Sequence, residues 1–207
     1  MSNHVAYPVF RTPDRDLALR VARRMVAFGA LPDSEVSVEI GGVSTTAEAG
    51  RLRDVLPDAW FTCWNTDVPA APPPGIPDLT LSVPARELPA DLADAHAYLP
   101  LSVSMLDQPP GSIEEHFASV AGPHPAEIRW SSLTWPEAPE HGLYGEGTHA
   151  MVTLLLNSDS LELDVRADTH LVLVHVRHRT GDDYEVRFAQ WLAEQIGQQV
   201  IGAPQRP

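Results

Sequence analysis

No lysine occurs among the 207 residues; all 14 cationic side chains are arginine. That absence removes Schiff-base chemistry, the P-loop and the phosphate-binding lysine of kinases. Cysteine is almost missing too. Cys63 stands alone, which excludes an internal disulfide. It falls in the run Ala59-Trp60-Phe61-Thr62-Cys63-Trp64, which reads as a strand with Cys63 as a small buried hydrophobe rather than a reactive thiol. No apolar run approaches the roughly 20 residues that a bilayer span needs. Met1 to Phe10 lacks the basic and apolar regions of a secretory signal, so the expected location is the cytoplasm. The sequence also has no Gly-x-Ser-x-Gly elbow, no His-Glu-x-x-His and no EF-hand loop, so no ready-made hydrolase, zincin or calcium signature is present.

Positive charge is scarce. Set against 28 acidic residues, the 14 arginines leave a formal charge of −14. Nucleic-acid affinity rests mainly on neutralising phosphates, so a polyanion partner is excluded, and anionic membrane surfaces are disfavoured for the same reason. A basic protein would instead be attracted and steered. The lack of lysine, together with 20 prolines, matches the composition of a GC-rich bacterial genome and is read as genomic drift rather than function.

What is present is enough for a core: 43% of the residues are hydrophobic. Val5 to Phe10 reads as a strand. Thr12-Pro13-Asp14 supplies an N-cap and an early proline, and Leu17, Val21, Met25 and Phe28 recur at helical spacing up to Gly29. Glu35 to Ile40 alternates as a half-buried strand that Gly41-Gly42 stops, and Ser44 or Thr45 caps a short helix through Leu56. Trp60 to Trp64, Leu79 to Val83 and Leu99 to Leu106 read as strands, with a helical stretch around Leu88 to Ala95. Ser112 and Glu115 form a capping box for another short helix. Ile128 to Leu133 reads as a further strand. The Pro-rich run 69–77 is an extended loop, or a seam between two lobes of what is otherwise a single domain over 1–207.

Towards the end, Ala150 to Leu156, Leu161 to Arg166 and His170 to His178 read as three strands joined by turns too short for parallel crossovers. An amphipathic helix from Asp182 to Ile196 follows, with Tyr184, Phe188, Trp191, Leu192 and Ile196 inward. The predicted fold is α+β: a mostly antiparallel sheet with helices on one face, ending in a three-stranded meander and a C-terminal helix.

Three clusters are candidate sites. In the last hairpin, Glu162, Asp164, His170, His175, Arg177 and His178 gather; the expected pairing sets His175 directly across from Glu162 or diagonal to it, on one face with Asp164 and Arg177. A histidine beside a carboxylate is the start of a general base. His175 and His178 point to opposite faces of a strand and cannot share a metal. The plain alternative is a polar sheet face with cross-strand ion pairs. The second cluster is the loop from His141 through Tyr144, Glu146 and His149, whose three glycines permit close backbone approach to a ligand. Trp130 and Trp135, just upstream, either brace that loop or line a pocket. The third is the stripe Arg20, Arg23 and Arg24 on the first helix, with Arg11 and Arg15 near its start, a candidate anion site if it is not simply a solvated face.

Three functions follow in order of preference. The first is an acidic cytosolic binding protein acting by surface complementarity on a basic protein partner, with immunity- or antitoxin-like neutralisation as its leading form and Glu162, Asp164, His175, Arg177, Tyr144, Glu146 and Trp135 as contact residues. The second is a small-molecule enzyme with a pocket built from the 141–149 loop and the 161–178 hairpin, His175 serving as base, Glu162 as orienter and His149 as ligand. A third is an assembly module that forms a homodimer through a sheet edge or the Trp-rich stretch. No cofactor, metal or nucleic acid is expected.

Overall fold

Alternation writes one large sheet into this chain. The structure is a computed structural model and describes residues 4–65, 67–68, 71–147, 149–179 and 183–206. Its eight strands are β1 (His4–Thr12), β2 (Glu35–Val43), β3 (Trp60–Cys63), β4 (Val83–Pro84), β5 (Leu101–Gln108), β6 (Ala126–Ser131), β7 (Met151–Leu156) and β8 (His170–Arg177). They join in one antiparallel sheet of order β1-β8-β7-β6-β2-β5-β3-β4. Four helices, α1 (Arg15–Gly29), α2 (Thr46–Val55), α3 (Glu114–Ala121) and α4 (Tyr184–Gln195), pack on one face. The architecture is α+β, ending in a meander of β6, β7 and β8 followed by the C-terminal helix α4.

Every second side chain faces the helices. Val5 and Tyr7, Val36, Val38 and Ile40, Phe61, Val103, Ile128, Val152 and Leu154, and Val172 and Val174 are all buried in one core with Met25, Leu52, Phe117 and Phe188. The other face is only half covered. The segment 157–169 between β7 and β8 folds back over it and packs Leu161 and Leu163 on Ala6, Leu155, Leu171 and Leu173. Leu163 sits so close to β2 that a Cβ on Gly41 would lie 2.8 Å from the Leu163 Cβ. Among the described residues no helix packs on this face over β6, β2, β5 and β3.

Several local expectations give way here. Leu161–Arg166 is not a strand: Asn157 and Leu163 take positive φ (51° and 55°), and the segment closes on itself through the Ser158–Arg166 bridge. The leucines that alternate there cover the sheet rather than extend it, and β7 pairs directly with β8. Gly41-Gly42 does not stop β2; the strand continues to Val43 through an irregularity at Gly42 (φ 65°). The N-cap of α1 is Asp14, which accepts from the Leu17 N–H, while the Thr12 hydroxyl accepts from the Asp14 N–H. The expected 112–115 capping box does not form. The Glu114 carboxylate takes the Gly111 and Ile113 N–H groups instead (2.8 and 3.2 Å). Around Leu88 to Ala95 there are only 3₁₀ turns, Ala85–Glu87 and Ala93–Tyr98. In the Pro-rich run, Pro69 and Ala70 lie outside the described residues, as does Asp182 before α4; β3 and β4, on either side of that run, pair with each other.

Both sheet edges are blunted, which protects against edge-to-edge pairing. β4 is two residues long and ends in Pro84. The outer edge of β1 is occupied by the segment 201–206: Ala6 and Gln205 exchange backbone bonds of 2.9 and 2.8 Å, and Ile201 donates to Pro8 O at 2.9 Å. A dimer built on a sheet edge finds no free long strand.

Candidate functional site on the second face of the sheet

Register places the second-face residues in rows that run across the strands. One row reads Arg11, Leu171, Leu155, Glu127, Glu39, Ser104, Trp60 and Pro84, from β1 to β4. Its outer half lies under Leu161 and Leu163. Its centre sets Glu127 directly opposite Glu39. Like charges across a strand pair repel, and this pair sits where the cover ends. Arg129, two residues along β6, offsets part of the repulsion with a 2.6 Å bond to one Glu127 oxygen. The other, Oε2, is inaccessible and has no hydrogen-bond partner. Burial pushes the Glu127 carboxyl upward, with Glu39 adding to the rise and Arg129 opposing it.

Beyond the carboxylates the face turns apolar. Trp60 is 40% exposed, and Leu106, two residues past Ser104 on β5, is 57% exposed. Trp64, just after β3, is the most exposed large hydrophobic side chain among the described residues, at 74%. On the covering segment Glu162 and Asp164 are both exposed on either side of Leu163, hence beside the Gly41 end of β2. Glu35, Glu39, Glu127, Glu162 and Asp164 thus border a surface whose far side is aromatic and aliphatic. Sequence reasoning did not find Glu39, Glu127, Trp60 or Leu106. Alternation along β2, β3 and β6 marks their side of the sheet, but only the register brings them into one row.

At the other end of the same face lies a histidine cluster. His175 is in register with Ala6 on one side and Met151 on the other, so Glu162 is not its cross-strand partner. Its Nε2 is 2.9 Å from the Thr153 hydroxyl, and its Nδ1 has no partner. The His4 ring lies 5.0 Å from that of His175 and 6.1 Å from that of His149, so His4 bridges the two predicted histidines. Arg177 pairs with His4 in register. Burial holds His175 well below the ordinary imidazole value, and the positive potentials of His4 and Arg129 push the same way. His4 is lowered by burial, then by His149 and Arg129. Burial raises Glu146 against the pull of the Arg177 backbone, His149, Arg179 and the Arg177 side chain.

Within this cluster His175 is enclosed, while His4 and His149 are partly exposed. A general base must come within hydrogen-bond reach of its substrate. Thr153 is 0% and His175 1% exposed, so their hydrogen bond cross-links β7 and β8 rather than facing a ligand. Among the described residues no three His, Cys, Asp or Glu side chains are placed to hold a metal ion.

The remaining predicted residues lie elsewhere. Trp135 is fully buried, and its indole donates to His175 O at 2.7 Å. It braces the 141–149 loop, exchanging backbone bonds with Glu146, and is out of reach of any partner. Tyr144 is exposed and stacks on Tyr184 at the start of α4, over which Arg179 lies. His178 Nδ1 donates to the Glu185 carboxylate (2.9 Å), which also accepts from Tyr7, and His170 Nδ1 accepts from the Asn157 N–H. Arg20, Arg23 and Arg24 are on α1, in the helix layer on the opposite side of the sheet. Among the described residues no helix is long and apolar enough to cross a membrane. Comparison with protein-family models, with curated proteins and with solved structures returned no match to this chain.

Proposed function

We propose that this protein is a binding protein that engages a basic protein partner through the uncovered half of its second sheet face. The observation that carries the reading is the placement of Glu39 directly opposite Glu127, with Trp60 and Leu106 exposed on the same face. A partner's guanidinium or ammonium set against the partly exposed Glu39 relieves its repulsion with Glu127. The exposed aromatic and aliphatic side chains are the kind that anchor the centre of an interface, while Glu35, Glu162 and Asp164 form an acidic rim that steers a cationic surface. The finer form of this reading is neutralisation: a small acidic protein that covers the working surface of a basic toxin, as immunity proteins do. The closed Thr153–His175 pair favours this over turnover of a small molecule.

The test is capture from the native host with immobilised full-length protein at low ionic strength. A stoichiometric basic protein is expected, retained by wild type and by Arg86→Glu in the turn after β4, and lost from Glu35→Arg/Glu39→Arg and from Trp60→Ala. Equal recovery by the sheet-face variants, or no stoichiometric partner at all, overturns the reading.

A further inference from the structure

Five of the 14 guanidinium groups fall between positions 11 and 24. Three of them, Arg15, Arg20 and Arg23, line one groove between α1 and α3 with a volume of about 330 Å³. Leu19 and Ala118 supply an apolar part of its wall, and Asp16 and Glu115 complete it. Two of the three cations are fixed by the protein. Arg15 donates from Nη1 to the Ala118 carbonyl (3.2 Å) and from Nε to Asp16 (3.3 Å). Arg23 is bonded to Glu115 and stands 4.0 Å from the buried carboxylate of Glu114. Arg20 has no hydrogen bond or ion pair among the described residues.

We infer that this groove is a binding site for a small organic oxyanion, a phosphomonoester or a carboxylate on a short apolar stem, with Arg20 as the group that engages it. With Glu114 behind Arg23, three guanidinium groups meet three carboxylates, so the groove is locally neutral inside a chain of formal charge −14, and Arg20 is its cation without a counter-ion among the described residues. Arg20 and Arg23 are three residues apart on α1 and therefore neighbours on its surface. Arg23 is already immobilised, so little side-chain entropy remains to be lost when an anion bridges it to Arg20. The planar fork of arginine matches the paired oxygens of carboxylate and phosphate. Leu19 and Ala118 give a stem something to lie on, which selects an organic anion over a bare one. The volume is at the lower end of small-molecule sites. Arg24 does not line the groove and Arg11 is paired with Asp159, so the stripe seen in sequence narrows to these three. The site lies in the helix layer, away from the sheet face, and stands or falls separately from the protein-binding reading.

The test titrates phenyl phosphate, butyrate and inorganic phosphate into full-length protein at matched ionic strength, following backbone amide shifts by NMR. Saturable shifts confined to α1 and α3 are expected with phenyl phosphate or butyrate, whichever headgroup the site prefers, with weaker binding of inorganic phosphate. Arg20→Gln lowers the affinity roughly tenfold, as loss of a charge-assisted donor does, and Arg24→Gln leaves it unchanged. Absence of saturable shifts with both organic anions overturns the proposal. So does an Arg20→Gln protein that binds like wild type.

Discussion

The Thr153 hydroxyl and His175 Nε2 lie 2.9 Å apart in a part of the sheet that water does not reach, binding β7 to β8 through side chains as well as backbone. Because burial holds the folded His175 well below its ordinary value of 6.5, the unfolded chain takes up its proton first on acidification. Stability from this group is therefore complete above about pH 6.5 and declines as pH falls below it. Glu127 and Glu146, whose values burial raises, contribute with the opposite sign: they penalise the fold at neutral pH and less so in acid. A comparison of wild type with His175→Gln isolates the histidine. The variant is less stable near neutrality, and its deficit narrows between about pH 7 and pH 5. Urea midpoints across that range check it; a constant deficit contradicts the buried neutral imidazole.

Gly29 closes α1 against the face of Trp135. A Cβ there would stand 2.7 Å from Trp135 Cζ3 and 3.0 Å from the Thr134 carbonyl, and neither the rigid indole nor the backbone gives way easily. Gly29→Ala is expected to cost about 1–3 kcal/mol despite alanine's better helix propensity. Thermal denaturation with Gly50→Ala as control, where the added methyl meets open space in α2, separates crowding from propensity: the control gains stability and the Gly29 variant loses it.

Strict alternation made β2 legible, and the same rule misled at Leu161–Arg166. A period of two says which side chains share a side but not whether the backbone is paired. Leu163 in a left-handed conformation lays the same leucines onto the neighbouring strands. α1 and α4 were legible from apolar spacing and α2 from its Thr45 cap, whereas the cap of α1 moved from Thr12 to Asp14, two oxygens that compete near the same helix start. His4 escaped notice as part of the histidine cluster. Its one signal is alternation with Val5, Tyr7 and Val9, and its neighbours come from 145 and 171 residues away, at His149 and His175. The Glu39–Glu127 row depends on the order β6-β2-β5, which skips sequence neighbours and which no local pattern encodes.

Glu114 shows how a buried carboxylate organises its surroundings. At 1% exposure it accepts from Trp130 Nε1 (3.0 Å) and from the Gly111 and Ile113 N–H groups, with Arg23 nearby as counter-ion. Glu114→Ala strips these donors of their acceptor and is expected to cost about 3 kcal/mol, while Glu114→Gln, which keeps a carbonyl for part of the set, costs about 1 kcal/mol. Equilibrium urea unfolding followed by tryptophan emission reads both. Equal losses in the two variants would mean that the charge, not the hydrogen bonds, is what the site requires.

On the open sheet face, the acidic rim and the hydrophobic anchors are expected to act on different steps of association. Glu35 and Glu39 are partly exposed, and their field reaches a partner before contact, so charge reversal lowers the association rate and flattens its dependence on ionic strength. Trp60 and Leu106 act only once they are covered. Truncating either to alanine leaves the association rate within about threefold and raises the dissociation rate by about tenfold or more, as for side chains at the centre of an interface. Surface-binding kinetics of the four single variants against the captured partner measure this division directly. A Trp60→Ala protein that dissociates like wild type would place the contact elsewhere on the molecule, because no buried interface centred on Glu39 and Glu127 can leave the Trp60 ring, one row-position beyond Ser104, in water.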